Sequence, residues 1–201
     1  MNKEKNISQN LKFFDRWADS YDFGIVQFWM RRFYRPVFQL VDSGKKRVLD
    51  ISCGTGEFLH ELNEKRTEAE LYGIDISEKM IEIARKKLPK VRFAVGDVHD
   101  LKYKANYFDY VITTEAFHHY YDQQLALKEM ARVAKKGAKV VVVDVNFFVR
   151  PIHWIFECLE PGCVRINSKH DMKKLFEKAG LRVVSQKRSG IFAMVAVGVK
   201  F

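Results

Sequence analysis

Residues 48–58 read VLDISCGTGEF, and this stretch decides the fold. An aliphatic run ends in Asp50, gives way within a few residues to Gly54 and Gly56, and leads at Phe58 into a helical pattern. Strand, glycine turn and helix form the opening unit of an α/β sheet that binds its ligand beyond the carboxyl ends of its strands. Gly54 and Gly56 allow a tight turn and let a ligand approach the backbone N–H groups at the helix start. The turn does not carry the pyrophosphate fingerprint. That pattern, G-x-G-x-x-G, would fall on Ser52, Gly54 and Glu57, of which only the middle residue is glycine. Asp50 would also repel a pyrophosphate, whereas it would attract a ligand carrying an ammonium group, such as the methionine part of S-adenosylmethionine (SAM).

Outward from this unit, short β-branched runs alternate with amphipathic helical patterns, which predicts β-α-β units and a parallel sheet. Strands are expected over 47–51, 70–75, 91–95, 108–113 and 139–145. Ser77 is a fitting N-cap for the helix between the second and third, with Met80, Ala84 and Leu88 on one face, Arg85 to Lys87 at its negative end and Pro89 as its stop. Ser168 with Asp171 opens a later helix that runs to Gly180. The runs 181–186 and 192–199 are joined by five residues only, too few for a parallel crossover, so they should pair as an antiparallel hairpin. The expected fold is therefore α/β: a doubly wound, mostly parallel, seven-stranded Rossmann-like sheet closed by an antiparallel C-terminal hairpin. Residues 1–46 are expected to be a helical cover and 47–201 the ligand-binding domain.

Two further acids end strands. Asp75 follows the glycine loop by about 20 residues, where a carboxylate accepts both hydroxyls of a ribose. In VGDVHD, Asp97 could accept an adenine amino group, while Val98 offers its backbone N–H to a ring nitrogen and its side chain to the ring face. Acids ending the first three strands thus line one crevice suited to an adenosine carrying a cationic arm.

Composition narrows the setting. With 201 residues and 47% hydrophobic content the chain can build one large core. Arg31, Arg32 and Arg35 interrupt the first aromatic region and Arg150, His153 and Glu157 the second, so no membrane span is expected. The polar start MNKEKNISQN does not read as a secretory signal. Cys53, Cys158 and Cys163 are an odd number, which favours a reducing compartment and a cytoplasmic protein over a disulfide framework. The spacing of Cys158 and Cys163, taken with His153 and His170, does not match structural zinc, and no metal is expected. The formal net charge of +10 gathers in 31–47 and 165–188, as a solvated basic surface or a site for anionic partners. Ten aromatics between Phe13 and Phe38 exceed what one covering helix needs and suit a lid over a ligand.

Together, F-D-x-x-A-x-x-Y-D from Phe14 to Asp22, VLDISCGTG, YGIDIS, VGDVHDL, FDYVITTEAFHH and ARVAKKGAKVVVVD resemble the class I SAM-dependent methyltransferases. Within that class the chain is similar to the small ubiquinone and menaquinone biosynthesis methyltransferases. The resemblance implies SAM as cofactor, with Asp50, Gly54 and Gly56 at its methionine part, Asp75 and the adjoining Ile76 at the ribose, and Asp97 and Val98 at adenine. Thr114 and Glu115 would sit near the sulfonium, and Tyr21 would close over the cofactor. Ser52 departs from the family, which usually has a glycine there; altered packing without lost binding is expected.

Methyl transfer needs an acceptor lone pair in line with the methyl group, so positioning and exclusion of water can supply most of the acceleration. His118 and His119 follow the fourth strand and are the candidates for a catalytic base, against a purely structural role. Phe147, Phe148, Ile152, Trp154, Ile155 and Phe156 stand where an acceptor pocket is expected, which favours a small hydrophobic or amphiphilic acceptor and is compatible with peripheral membrane contact. The alternative is an RNA- or protein-modifying methyltransferase using the basic surface. Where base methyltransferases carry an Asn/Asp-Pro-Pro-aromatic motif this chain has TTEAFHH, so nucleic acid is disfavoured as a partner. A SAM-binding partner subunit without activity has no support in the intact loop.

Overall fold

The computed structural model describes residues 3–22, 24–66, 68–190 and 192–201, without the side chains of 25–27, 29, 30 and 32. Phe23, Trp29 and Arg32, which belong to the expected lid and its basic rim, lie outside this description. Helices α1 (Lys3–Trp17) and α2 (Gly24–Phe38) precede the sheet. The order then runs β1 (Arg47–Ile51), α3 (Glu57–Lys65), β2 (Glu70–Asp75), α4 (Glu78–Lys87), β3 (Arg92–Val95), β4 (Phe108–Thr114), α5 (Gln123–Val133) and β5 (Ala134–Val145). Helices α6 (Arg150–Leu159) and α7 (Lys169–Lys178) lead to β6 (Leu181–Ser189) and β7 (Ala193–Lys200).

The seven strands are ordered β3-β2-β1-β4-β5-β7-β6. β1 through β5 pair in parallel, and β7 enters antiparallel between β5 and β6. The strand order reverses beside β1, and there the carboxyl ends of β1 and β4 splay into a crevice. Both faces of the sheet are buried. Val48, Leu71, Ile112, Val141 and Val195 pack against α2, α3 and α4, while Leu49, Tyr72, Val111, Val140 and Met194 pack against α5 and α7. This alternation explains why the strands read as continuous apolar runs. Phe33, Tyr34, Val37 and Phe38 of α2 belong to the same core as Phe58 and Leu59, so α2 forms part of one helical layer on the sheet.

Local chemistry sets the boundaries. Ser77 caps α4 by accepting from the Met80 N–H at 3.1 Å, and Ser168 caps α7 by accepting from the Asp171 N–H at 3.1 Å. The strand expected to begin at Lys139 begins at Ala134, which pairs with Phe108; the basic stretch with Gly137 that follows is an irregularity in the ladder, where the register shifts before Tyr110 meets Lys139. The hairpin strand β6 likewise runs three residues beyond its expected end, to Ser189.

Candidate active site

The glycine loop is held open by its backbone. Gly54 and Gly56 have φ of +53° and +81°, and Ser52 takes the left-handed region as well, at +58°. A non-glycine residue there is strained unless its side chain is tied locally. Ser52 Oγ lies 3.0 Å from the Tyr120 hydroxyl, which also reaches Thr113 Oγ1 at 2.8 Å, so the ends of β1 and β4 share one buried hydroxyl. The loop is tied to β2 through Asp75, which accepts from the Gly54 N–H at 2.9 Å on one oxygen and from the Ser77 N–H at 2.9 Å on the other. Each carboxylate oxygen keeps a lone pair for a further donor.

These loops and α1 enclose a crevice of about 820 Å³, counted to its open mouth. Tyr21, Ser52, Gly54, Asp75, Ile76, Asp97, Val98 and Thr114 line it, as does His119. An adjoining recess of about 380 Å³ is lined by Asp50 and Cys53 and shares Tyr21, Ser52, Thr114 and Glu115 with the crevice. Gly56 lines neither. A Cβ there would stand 3.2 Å from the Phe93 ring, so its place is behind the loop, where the helix packs closely on the sheet.

Asp50 is buried at 1% exposure, and neither of its carboxylate oxygens has a hydrogen-bond partner. Burial first, and then the charge of Asp75, push its carboxyl well above the usual carboxylate range. A buried acid without a donor is costly. The ammonium group of a methionine arm would supply the missing donor and charge. At the other end, Asp97 accepts from the His99 N–H at 2.9 Å and from the Tyr121 hydroxyl at 3.0 Å, and lies 2.5 Å from His99 Nδ1. Burial would raise its carboxyl, but these bonds hold it at about 2. The His99 and Tyr121 rings stack at 3.6 Å, which adds a flat aromatic surface to the wall.

In the adjoining recess, Glu115 sits at φ +54° with its Oε2 buried and unpartnered; burial, Asp144 and Glu160 push its carboxyl up to about 8. The histidine pair separates. His119 faces the crevice, with the Phe14 ring edge-on at 5.3 Å, and burial together with the His118 charge holds its imidazole well below the ordinary histidine range. His118 is 1% exposed, does not line the crevice, and directs Nδ1 to Asp144 Oδ1 at 2.6 Å. Burial alone would lower its value, but Asp144 and Glu160 raise it to about 10.

The region after β5 departs from expectation. None of Phe147, Phe148, Ile152, Trp154, Ile155 and Phe156 lines the crevice. Phe147 packs on Phe156 at 5.0 Å and on Phe192 at 5.5 Å, Phe148 lies under Arg188 at 4.5 Å, and Ile152, Trp154 and Ile155 face solvent. The crevice is walled instead by α1, through Asn6, Ile7, Asn10 and Phe14. Asn6 donates to the Gly162 carbonyl at 3.1 Å and Asn10 to the His119 carbonyl at 3.4 Å, so α1 is fastened across the opening by polar bonds. The sequence reading missed these asparagines along with Tyr120, Tyr121 and Asp144. Asp144 alone had a usable signal, since it ends a hydrophobic strand as Asp50 and Asp75 do.

A crevice bordered by Asp75 and Asp97, with the buried, unpartnered carboxylate of Asp50 in the adjoining recess, suits a ligand that carries hydroxyl and amino donors and an ammonium group, and likeness to known proteins agrees. The chain belongs to a methyltransferase family, whose "Methyltransferase domain" model matches residues 42–181. It is a SAM-dependent methyltransferase, with SAM as its cofactor. Among curated relatives it is 32% identical to a demethylmenaquinone methyltransferase of Thermotoga maritima, over 70% of this chain and 63% of that one. It is 30% identical to a demethylmenaquinone methyltransferase of Staphylococcus aureus, over 99% of this chain and 94% of the other. Among solved structures, a SAM-dependent methyltransferase from Thermotoga maritima superposes with a TM-score of 0.73 at 26% identity, over 95% and 99% of the two chains. A chain of the complex between the Haloferax volcanii Trm112 methyltransferase activator and a methyltransferase gives 0.78 at 22% identity, over 92% and 96%, a likeness of fold. No described helix is long and apolar enough to cross a membrane.

Proposed function

We propose that the protein transfers the SAM methyl group to a small hydrophobic or amphiphilic acceptor, with the cofactor held by Tyr21, Asp50, Ser52, Gly54, Asp75, Ile76, Asp97, Val98 and Thr114. The observation that carries this reading is the surface groove on α1 lined by Phe13, Trp17 and Pro161, with Lys12 and Arg16 at its sides. Aromatic walls suit an apolar ring or chain, and the two cations suit an anionic substituent. The same helix walls the cofactor crevice through Phe14, one residue from Phe13. Relatives named for demethylmenaquinone methylation favour a quinone-like acceptor.

Sulfonium methyl transfer asks for alignment and a dry site. The cofactor supplies the methyl group. Asp50 and Asp75 fix the two halves of its carrier, Tyr21 and Phe14 limit water from the lid side, and His119 is the histidine placed to take a proton from an acceptor hydroxyl. His118 stands behind it, paired to Asp144.

The outward face of α6 supports peripheral membrane contact as part of the same reading. Trp154, Ile155 and Leu159 are 66%, 50% and 76% exposed on one helix that also carries Arg150. Such a face suits the headgroup boundary of an anionic bilayer, from which a lipid-like acceptor would be drawn. Labelled SAM incubated with lipid, quinone and RNA extracts tests the acceptor class. Label in the quinone or lipid fraction is expected, whereas label confined to RNA would favour use of the basic surface and remove this reading. Salt-sensitive co-sedimentation with anionic vesicles, accompanied by a blue shift of Trp154 fluorescence, tests the membrane contact.

A further inference from the structure

The polar cluster behind the crevice wall is larger than methyl transfer requires. His118 and His119 leave β4 on a tight turn, Asp144 ends β5, and Glu160 follows α6. The backbone holds them together: the Val164 and Arg165 N–H groups both donate to the His118 carbonyl, at 2.8 and 3.3 Å. His118 Nε2 lies 3.3 Å from Glu160 Oε2 and His119 Nε2 lies 3.7 Å from Glu160 Oε1. His118 Nε2, Glu160 Oε2, Asp144 Oδ2 and Glu115 Oε2 are all buried without a hydrogen-bond partner.

We propose that His118, His119 and Glu160 form a binding site for a divalent transition-metal cation of the zinc class, with Asp144 orienting His118. The geometry is what such an ion uses. Ligand bonds of 2.0–2.1 Å in a tetrahedron separate ligand atoms by roughly 3.3 Å. One nitrogen or oxygen from each of the three residues falls within 4.8 Å of the others. Two imidazoles and a carboxylate suit zinc, iron or manganese better than magnesium or calcium. The 2.6 Å bond from Asp144 to His118 Nδ1 is the carboxylate–histidine contact that fixes the tautomer and presents Nε2 to a metal. Because His119 also lines the crevice, the ion would stand at the crevice wall, and while it is bound His119 would hold the ion in place of the proton-accepting role read for it above; that relation to the acceptor rests on the proposed function, whereas the ion site does not.

Titrating chelator-treated, full-length protein with Co²⁺ and Zn²⁺ tests the site. One ion per chain is expected, with visible ligand-field absorption for Co²⁺ that Zn²⁺ removes. His119→Ala and Glu160→Gln should abolish stoichiometric binding, and Asp144→Asn should weaken it by about 10- to 100-fold. SAM affinity in Glu160→Gln should stay at the wild-type level, which separates loss of the ion from loss of the fold or of the cofactor site. Should the variants not fold, the wild type still decides: Zn²⁺ should shift the imidazole ¹⁵N resonances of two of the six histidines. Absence of stoichiometric binding, binding at wild-type strength in both ligand variants, or shifts at other histidines would overturn the proposal.

Discussion

Ser52 Oγ and the Tyr120 hydroxyl lie 3.0 Å apart, and this contact accompanies a serine in left-handed backbone geometry at the tip of the cofactor loop. The left-handed region costs a non-glycine residue about 1–2 kcal/mol, and a buried hydrogen bond returns about 0.5–1.5 kcal/mol. Ser52→Gly should therefore leave stability nearly unchanged. Ser52→Ala keeps the strain and loses the bond, and should destabilise by about 1 kcal/mol. Tyr120→Phe takes a partner from the half-buried Ser52 hydroxyl and strands the buried one of Thr113, and should cost about 1–3 kcal/mol. Urea unfolding of the three variants measures the order.

Asp50 sets stability against binding. Its buried, unpartnered carboxyl is a burden on the ligand-free protein and an asset once an ammonium group arrives. Asp50→Asn should raise the melting temperature of the ligand-free protein by removing the ionisable group, while weakening SAM at least tenfold. Scanning calorimetry with and without SAM reads both effects; a fall in the ligand-free melting temperature would contradict the assignment.

Asp97 predicts an acid limb. Its folded value of about 2 lies below its ordinary 3.8, so the stability it contributes is present above about pH 4 and is lost as pH falls through 2. Asp97→Asn should be less stable than the wild type at neutral pH and should show a smaller loss between pH 4 and pH 2. Parallel curves for the two proteins would show that the His99 and Tyr121 contacts contribute nothing through ionisation.

Much of the fold was legible because its signals are local. The parallel strands reveal themselves as apolar runs, Ser77 and Ser168 cap the helices they were read to cap, and the link before β7, read as five residues and in fact still shorter, forces an antiparallel pair. The start of β5 was hidden because Lys135, Lys136 and Gly137 mimic a loop, and in the ladder they form the irregularity between the Ala134–Phe108 and Lys139–Tyr110 pairs. The acids at strand ends were visible for the same local reason. A helical cover from residues 1–46 was expected, but how it is fastened was not legible, since that depends on tertiary placement. Asn6 and Asn10 read as solvent-facing residues of a polar helix, yet they are buried by contact with Gly162 and His119, far along the chain. The aromatics after β5 do not line the crevice, because hydrophobicity does not distinguish a core contact such as Phe147 with Phe156 from an exposed helix face such as that of Trp154.

The central assignment is the SAM crevice between the β1 and β2 ends, and it is tested most directly by calorimetric titration of the wild type and Asp75→Ala with SAM and with its demethylated product. Asp75 both ties the Gly54 loop and offers its remaining lone pairs to the ribose. The wild type should bind one molecule of each ligand per chain, and Asp75→Ala should lose about 1.5–3 kcal/mol of affinity for both, as expected for two charge-assisted hydrogen bonds. Absence of saturable binding in the wild type, or unchanged affinity in Asp75→Ala, would contradict it.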